Sequence, residues 1–140
     1  TLPSPLIVGF AAAVQEAMAD RDERHTRLGG LRDQLWNGLN DQLPAVERNG
    51  AAAPCLAHNL NITLPGMSGS RLHRSLRPHL ACSSGSACSN GAPSHVLLAI
   101  GRSRADAEAS LRLSLGRSTT ANAVEQAIAS IVEAVDAQQT

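Results

Sequence analysis

Two short runs in this chain alternate strictly between polar and apolar residues, and no other feature limits its fold as tightly. Asn59-Leu60-Asn61-Ile62-Thr63-Leu64 has the period of a half-buried strand, and Pro65-Gly66 closes it. The reason is geometric: successive side chains of an extended backbone point to opposite faces. Residues 109–115 repeat the pattern, with Leu111, Leu113 and Leu115 against Ser110, Arg112 and Ser114. That second strand has one polar face, and the face holds Arg112. A shorter strand is expected at residues 45–48, where Asn49-Gly50 then turns the chain into the small-residue loop Ala51-Ala52-Ala53-Pro54. Leu80-Ala81-Cys82 reads as briefly extended.

Between and around these runs the period changes to that of a helix. From Leu6 to Leu39 the reading is helical: Leu28, Leu31, Leu35 and Leu39 keep helical spacing with Trp36 beside them, and residues 20–24 form a charged, solvated turn. Gly29-Gly30 implies a kink or close packing, since each glycine costs about 1 kcal/mol relative to alanine in a helix. Asn37-Gly38 and Asn40-Asp41 are expected to end the helix, just before Pro44. A helix over about residues 68–77 follows, with Leu72 and Leu76 inward and Pro78 as its stop. Residues 96–100 form a short helix ended by Gly101, and Ser103 with Asp106 resembles a capping box for the next. Thr119-Thr120 starts the closing helix, whose stripe is Val124, Ala127, Ile128, Ile131, Val132 and Val135. The expected fold class is therefore α+β, a small sheet of three to four strands with helices packed on one face.

A length of 140 residues allows one such domain with a real core. All twelve basic residues are arginine, the formal net charge is zero, and aromatics make up 1% of the chain. The arginines are dispersed among acidic residues, which leaves neither a basic patch nor a stacking surface and argues against nucleic acid as a partner. No stretch approaches the length of a membrane span, and the start Thr1-Leu2-Pro3-Ser4-Pro5 has neither an initiating Met nor a signal-peptide layout. It reads as a domain cut from a longer chain. Three cysteines, an odd number, do not make a disulfide framework, so a reducing, cytoplasmic or equivalent organelle interior is expected.

Chemistry concentrates in Ala81-Cys82-Ser83-Ser84-Gly85-Ser86-Ala87-Cys88-Ser89-Asn90-Gly91-Ala92-Pro93-Ser94-His95. Small residues there offer little to bury, and Gly85 and Gly91 give the backbone freedom on either side of Cys88. The segment reads as a mobile loop carrying an accessible thiol, the condition for a nucleophilic thiolate. Pro93-Ser94 marks a helix start at His95. Cys55 and Cys82 read instead as buried small hydrophobes.

The run Ser83-Ser84-Gly85-Ser86-Ala87-Cys88-Ser89, followed by Leu111-Arg112-Leu113-Ser114-Leu115-Gly116-Arg117-Ser118-Thr119-Thr120, resembles the C-terminal part of NifS-like cysteine desulfurases. These are pyridoxal-phosphate enzymes of aminotransferase class V, and the resemblance covers essentially the whole chain. It implies the small domain of a fold-type I enzyme, over residues 1–140, lacking the domain that bears the cofactor lysine. Since this chain has no lysine, it cannot hold pyridoxal phosphate through a Schiff base.

The resemblance also assigns roles. Cys88 is implied as the nucleophile that takes sulfur from cofactor-bound L-cysteine as a persulfide, releasing alanine, and passes it to an acceptor such as an iron–sulfur scaffold protein. Arg112 matches the arginine that binds the substrate carboxylate, a task that suits a planar fork. Thr1 falls where the family has a threonine whose hydroxyl reaches the cofactor phosphate across the interface of a homodimer. His95 is read as helix-start packing, Arg117 as a structural ion pair, and neither His73 nor His79 inherits an acid–base task. Asn59 and Asn61 are expected to satisfy strand and turn backbone groups.

Two other functions stay open on the residues alone. His79, Cys82, Cys88 and His95 form a ligand set that suits zinc, although their spacing differs from common fingers. Alternatively, the domain works alone as a sulfur carrier that accepts a persulfide on Cys88.

Overall fold

In a computed structural model, residues 2–83 and 92–139 are described. The element order is α1 (Ser4–Ala19), α2 (Arg21–Gln42), β1 (Glu47–Arg48), β2 (Asn59–Thr63), α3 (Gly69–Leu76), α4 (His95–Ala99), α5 (Arg104–Glu108), β3 (Ser110–Ser114) and α6 (Ala121–Gln139). The strands form one antiparallel sheet in the order β1-β2-β3. The fold is thus the expected small α+β arrangement.

The two alternating runs become neighbours in the sheet. Leu60 pairs with Leu113 and Ile62 with Leu111, so their apolar faces coincide. All four are buried, together with Leu64 and Leu115 beyond the strand ends. Against this face α2 contributes Leu28, Leu35 and Leu39, α3 contributes Leu72 and Leu76, and α6 contributes Val124, Ile128, Ile131, Ala134 and Val135. Each Val, Leu or Ile among them stabilises the fold by about 1.5–3 kcal/mol when fully buried. Packing of α2 on α6, rather than intrinsic helix propensity, is what holds both in place.

Three expectations are corrected. Residues 21–24 belong to the first turn of α2 rather than to a solvated turn, and Asp22 and Glu23 there face the positive end of the helix dipole. Neither Gly29 nor Gly30 is tightly packed: a Cβ at Gly29 would sit 4.0 Å from that of Ala57, and at Gly30 it would meet nothing. The close approach is at Gly38, inside α2 rather than at its end, where a Cβ would lie 2.5 Å from Ile128 Cδ1. Finally, α2 continues through Asn40-Asp41 to Gln42, because Leu39 is fully buried and keeps this turn on the core.

Caps and clamps place the connections. Ser94 accepts a hydrogen bond from the Leu97 amide at the start of α4, and Ser103 accepts from the Asp106 amide at the start of α5. Arg27 of α2 donates to the carbonyls of Gly116, Arg117 and Thr119, which ties the loop after β3 to the helical layer. Arg117 itself pairs with Glu16 and Asp20 at 3.4 and 3.5 Å, in keeping with its expected structural role. By contrast, α1 has no buried residue and exposes Leu6, Ile7, Val8, Phe10, Val14 and Met18. No helix among the described residues is long and apolar enough to cross a membrane.

Candidate functional site

The polar face of the sheet is ordered in rows, because residues paired across strands share a face. One row is Asn61 and Arg112, flanked by Asn49 after β1 and by Ser83 beyond β3. The Asn49 amide donates to the Asn61 carbonyl at 2.9 Å. On the other edge, the Ser83 amide donates to the Arg112 carbonyl at 3.2 Å and the Arg112 amide to the Ser83 carbonyl at 2.8 Å. This isolated bridge extends the sheet by one residue pair at its β3 edge. Ser83 therefore roots the thiol-bearing segment on the backbone of Arg112.

Arg112 is exposed between the buried Leu111 and Leu113. Its guanidinium has no hydrogen bond or ion pair among the described residues, where most other arginines are engaged. A cation held on a rigid strand without a partner is ready to receive an anion, and its fork matches a carboxylate.

A second row lies deeper. Thr63 and Ser110 are buried and joined at 2.8 Å between hydroxyl oxygens. Ser110 donates to the Asp106 carbonyl at 2.7 Å, and Asn49 Nδ2 donates to Thr63 Oγ1 at 2.9 Å and to Asn61 Oδ1 at 2.7 Å. Asn61 is thus bonded to a side chain through its oxygen, beyond the backbone role expected of it.

Cys88 and Thr1 lie outside the described residues. The remaining cysteines sit in unlike surroundings. Cys82 is half-buried against the core, 3.8 Å from His73 Nδ1, and burial pushes its thiol pKa up. Burial likewise pushes the His73 pKa down. Cys55 differs from the apolar setting expected: its sulfur is 3.1 Å from Arg32 Nη1 and 3.5 Å from Arg48 Nη2, and it donates to the Ala52 carbonyl. The reason is that the β1–β2 loop carries it past two arginine side chains instead of into the core.

His95 is the first residue of α4, as its motif implied, but it is exposed rather than packed. The imidazole beside Cys82 is that of His73, not His79 or His95. Among the described residues no group of three or more His, Cys, Asp or Glu is placed to hold a metal ion. With no lysine in the chain, none of its residues fits covalent attachment of pyridoxal phosphate.

No family model matches the chain. Cysteine desulfurase IscS of Tolumonas auensis is 40% identical over 137 residues, 96% of this chain and 33% of that protein. Cysteine desulfurase IscS of Dechloromonas aromatica is 40% identical over 130 residues, 91% of this chain and 32% of that protein. Among solved structures, a NifS-like protein from Rickettsia africae shares the fold with a TM-score of 0.81 and 24% identity, over 93% of this chain and 34% of that one. A second solved NifS-like protein gives a TM-score of 0.83 and 26% identity, over 97% of this chain and 34% of that one. The chain therefore spans about a third of the length of the curated relatives it matches. Over nearly its whole length this chain is similar in sequence to about a third of the length of cysteine desulfurase IscS, and in fold to about a third of the length of solved NifS-like proteins.

Proposed function

We propose that the chain is the C-terminal small domain of a cysteine desulfurase, spanning residues 1–140, whose complete form is a homodimer using pyridoxal phosphate. One observation carries the reading. Arg112, whose guanidinium has no partner among the described residues, is bonded through its backbone to Ser83, and Ser83 lies five residues before Cys88 in a chain 40% identical to a cysteine desulfurase. Five residues span at most about 18 Å when fully extended, so the tether keeps the thiol within reach of a substrate held at Arg112.

In this reading Arg112 holds the carboxylate of L-cysteine and fixes which way its thiol points. The Cys88 thiolate attacks the substrate's sulfur: a sulfur–sulfur bond forms and the carbon–sulfur bond breaks. The electron pair stays with the carbon fragment, which takes up a proton and leaves as alanine, while Cys88 keeps the persulfide. Pyridoxal phosphate, held by a lysine-bearing domain outside this chain, supplies the electron sink for that bond cleavage. Thr1 is assigned to the cofactor phosphate across the dimer. The acceptor of the persulfide is an iron–sulfur scaffold or similar protein in the cytoplasm or an equivalent organelle interior.

The exposed apolar side chains of α1 support a partner within the same enzyme. Leu6, Phe10 and Met18 are 73%, 73% and 63% exposed, and contiguous apolar patches of this kind mark contact surfaces. The test is alanine and sulfide release from L-cysteine with pyridoxal phosphate, by this chain alone and with the separately produced lysine-bearing domain. Activity only in the mixture is expected. If neither preparation is active while Cys88 still accepts sulfur from a persulfide donor, the domain is a stand-alone sulfur carrier.

A further inference from the structure

The hydrogen-bond chain behind Arg112 has a direction, and the direction ends on Asn61. Its fixed point is the Asp106 carbonyl, which can only accept. Ser110 Oγ lies 2.7 Å from it and donates its single proton there. With that proton committed, the 2.8 Å contact between Ser110 and Thr63 is donated by Thr63. Thr63 Oγ1 is then an acceptor; both ends of the Asn49 amide lie beside it, Nδ2 at 2.9 Å and Oδ1 at 3.1 Å, and with the hydroxyl proton spent on Ser110 the amino group is the end that bonds to it. The second proton of that amino group goes to Asn61 Oδ1 at 2.7 Å, a shorter contact than the 3.3 Å to Ser110 Oγ. Asn61 thus turns its oxygen toward Asn49. Its own amino group is left without a partner among the described residues.

That amino group stands beside the guanidinium. The amide and carbonyl of Arg112 are both bonded to Ser83, so its pairing with Asn61 on β2 is of the kind that exchanges no backbone hydrogen bonds. In such pairs the Cα atoms are only about 4.5 Å apart and the side chains are closest. Two donors without a partner among the described residues, one charged and one neutral, therefore share one row of the polar face.

We infer that Asn61 is a second arm of the substrate clamp: its Nδ2 donates to the same α-carboxylate that Arg112 holds, which directs the site to small α-amino acids. This rests on the reading of Arg112 as the carboxylate arginine. Asn49 is then a positioning residue, acting through the orientation of the Asn61 amide.

The probe is S-methyl-L-cysteine, titrated into the isotopically labelled chain at millimolar concentration and followed by the Asn61 side-chain amide resonances. Its decarboxylated analogue, 2-(methylthio)ethylamine, is the control. Asn61→Asp separates binding from structure, because the carboxylate oxygen still accepts from Asn49 Nδ2 but now opposes the ligand's charge. The expected result is a saturable shift with the amino acid and none with the amine, binding lost in Asn61→Asp, and binding about tenfold weaker in Asn61→Ala. Should Asn61→Asp fail to fold, the Asn61→Ala affinity decides in its place. Native-like affinity in these variants, with binding lost in Arg112→Ala, overturns the role of Asn61 and leaves Arg112 intact. Unchanged binding in Arg112→Ala, or no binding by the native chain, overturns the reading of Arg112 itself.

Discussion

Replacing Gly69 by alanine should damage this fold more than any other single-methyl change in its helices. Gly69 opens α3, and a Cβ there would lie 1.8 Å from the Glu108 carbonyl oxygen and 2.9 Å from its carbon. Glu108 ends α5 and Ser110 begins β3, so the contact joins the start of α3 to the strand that carries Arg112. A backbone carbonyl cannot rotate away as a side chain does, and overpacking of this kind costs about 1–3 kcal/mol, occasionally more. The upper end of that range applies, and at about 4 °C per kcal/mol for a chain of this size the melting temperature should fall by about 10 °C. Gly38→Ala is the control. Its new methyl meets the far end of the Ile128 side chain, which can shift, and alanine recovers up to about 1 kcal/mol of helix propensity. Thermal and urea unfolding of the two variants read the difference directly. A Gly69→Ala chain that melts with the native protein, or a Gly38→Ala chain that loses as much, would show that the approach of the Glu108 carbonyl does not limit this position.

Three further outcomes are expected. Because burial holds the His73 pKa below its usual 6.5, the unfolded chain binds the proton more readily. The stability associated with neutral His73 is therefore present above that value and lost as the pH falls through the folded value; a His73→Asn variant whose acid dependence matches the native chain would count against it. Cys82, whose pKa burial raises, should be alkylated more slowly at neutral pH than an unperturbed thiol, as peptide mapping after timed exposure to iodoacetamide will register. In the assembled enzyme, Arg112→Ala should raise KM for L-cysteine by about tenfold or more, since a charged hydrogen-bonded contact is lost. An unchanged KM contradicts its carboxylate role.

Strand positions and the apolar stripes were legible in the sequence because each follows a local period. Residues 59–64 and 109–115 became β2 and β3, and the stripe of α6 was read except for Ala134, a small residue that adds little to the pattern. Gly29-Gly30 misled because composition shows that a helix tolerates glycine without showing what approaches it; that depends on which helix packs opposite, and Ile128 chose Gly38. The charged run at 20–24 was read as a turn although acidic side chains also favour the start of a helix. At the proposed site, the motif points to Arg112. Its pairing with Asn61 and Ser83 is not legible there, since cross-strand register joins residues 51 and 29 positions apart with no local signal.

The most direct measurement is the intact mass and peptide map of this chain after L-cysteine turnover in the presence of pyridoxal phosphate and the lysine-bearing domain. One added sulfur atom on the peptide containing Cys88, removed by a reductant and missing in Cys88→Ser, is the predicted result. Persulfide formation that persists in Cys88→Ser, or sulfur found on Cys55 or Cys82 instead, would contradict the assignment of Cys88 as the sulfur carrier.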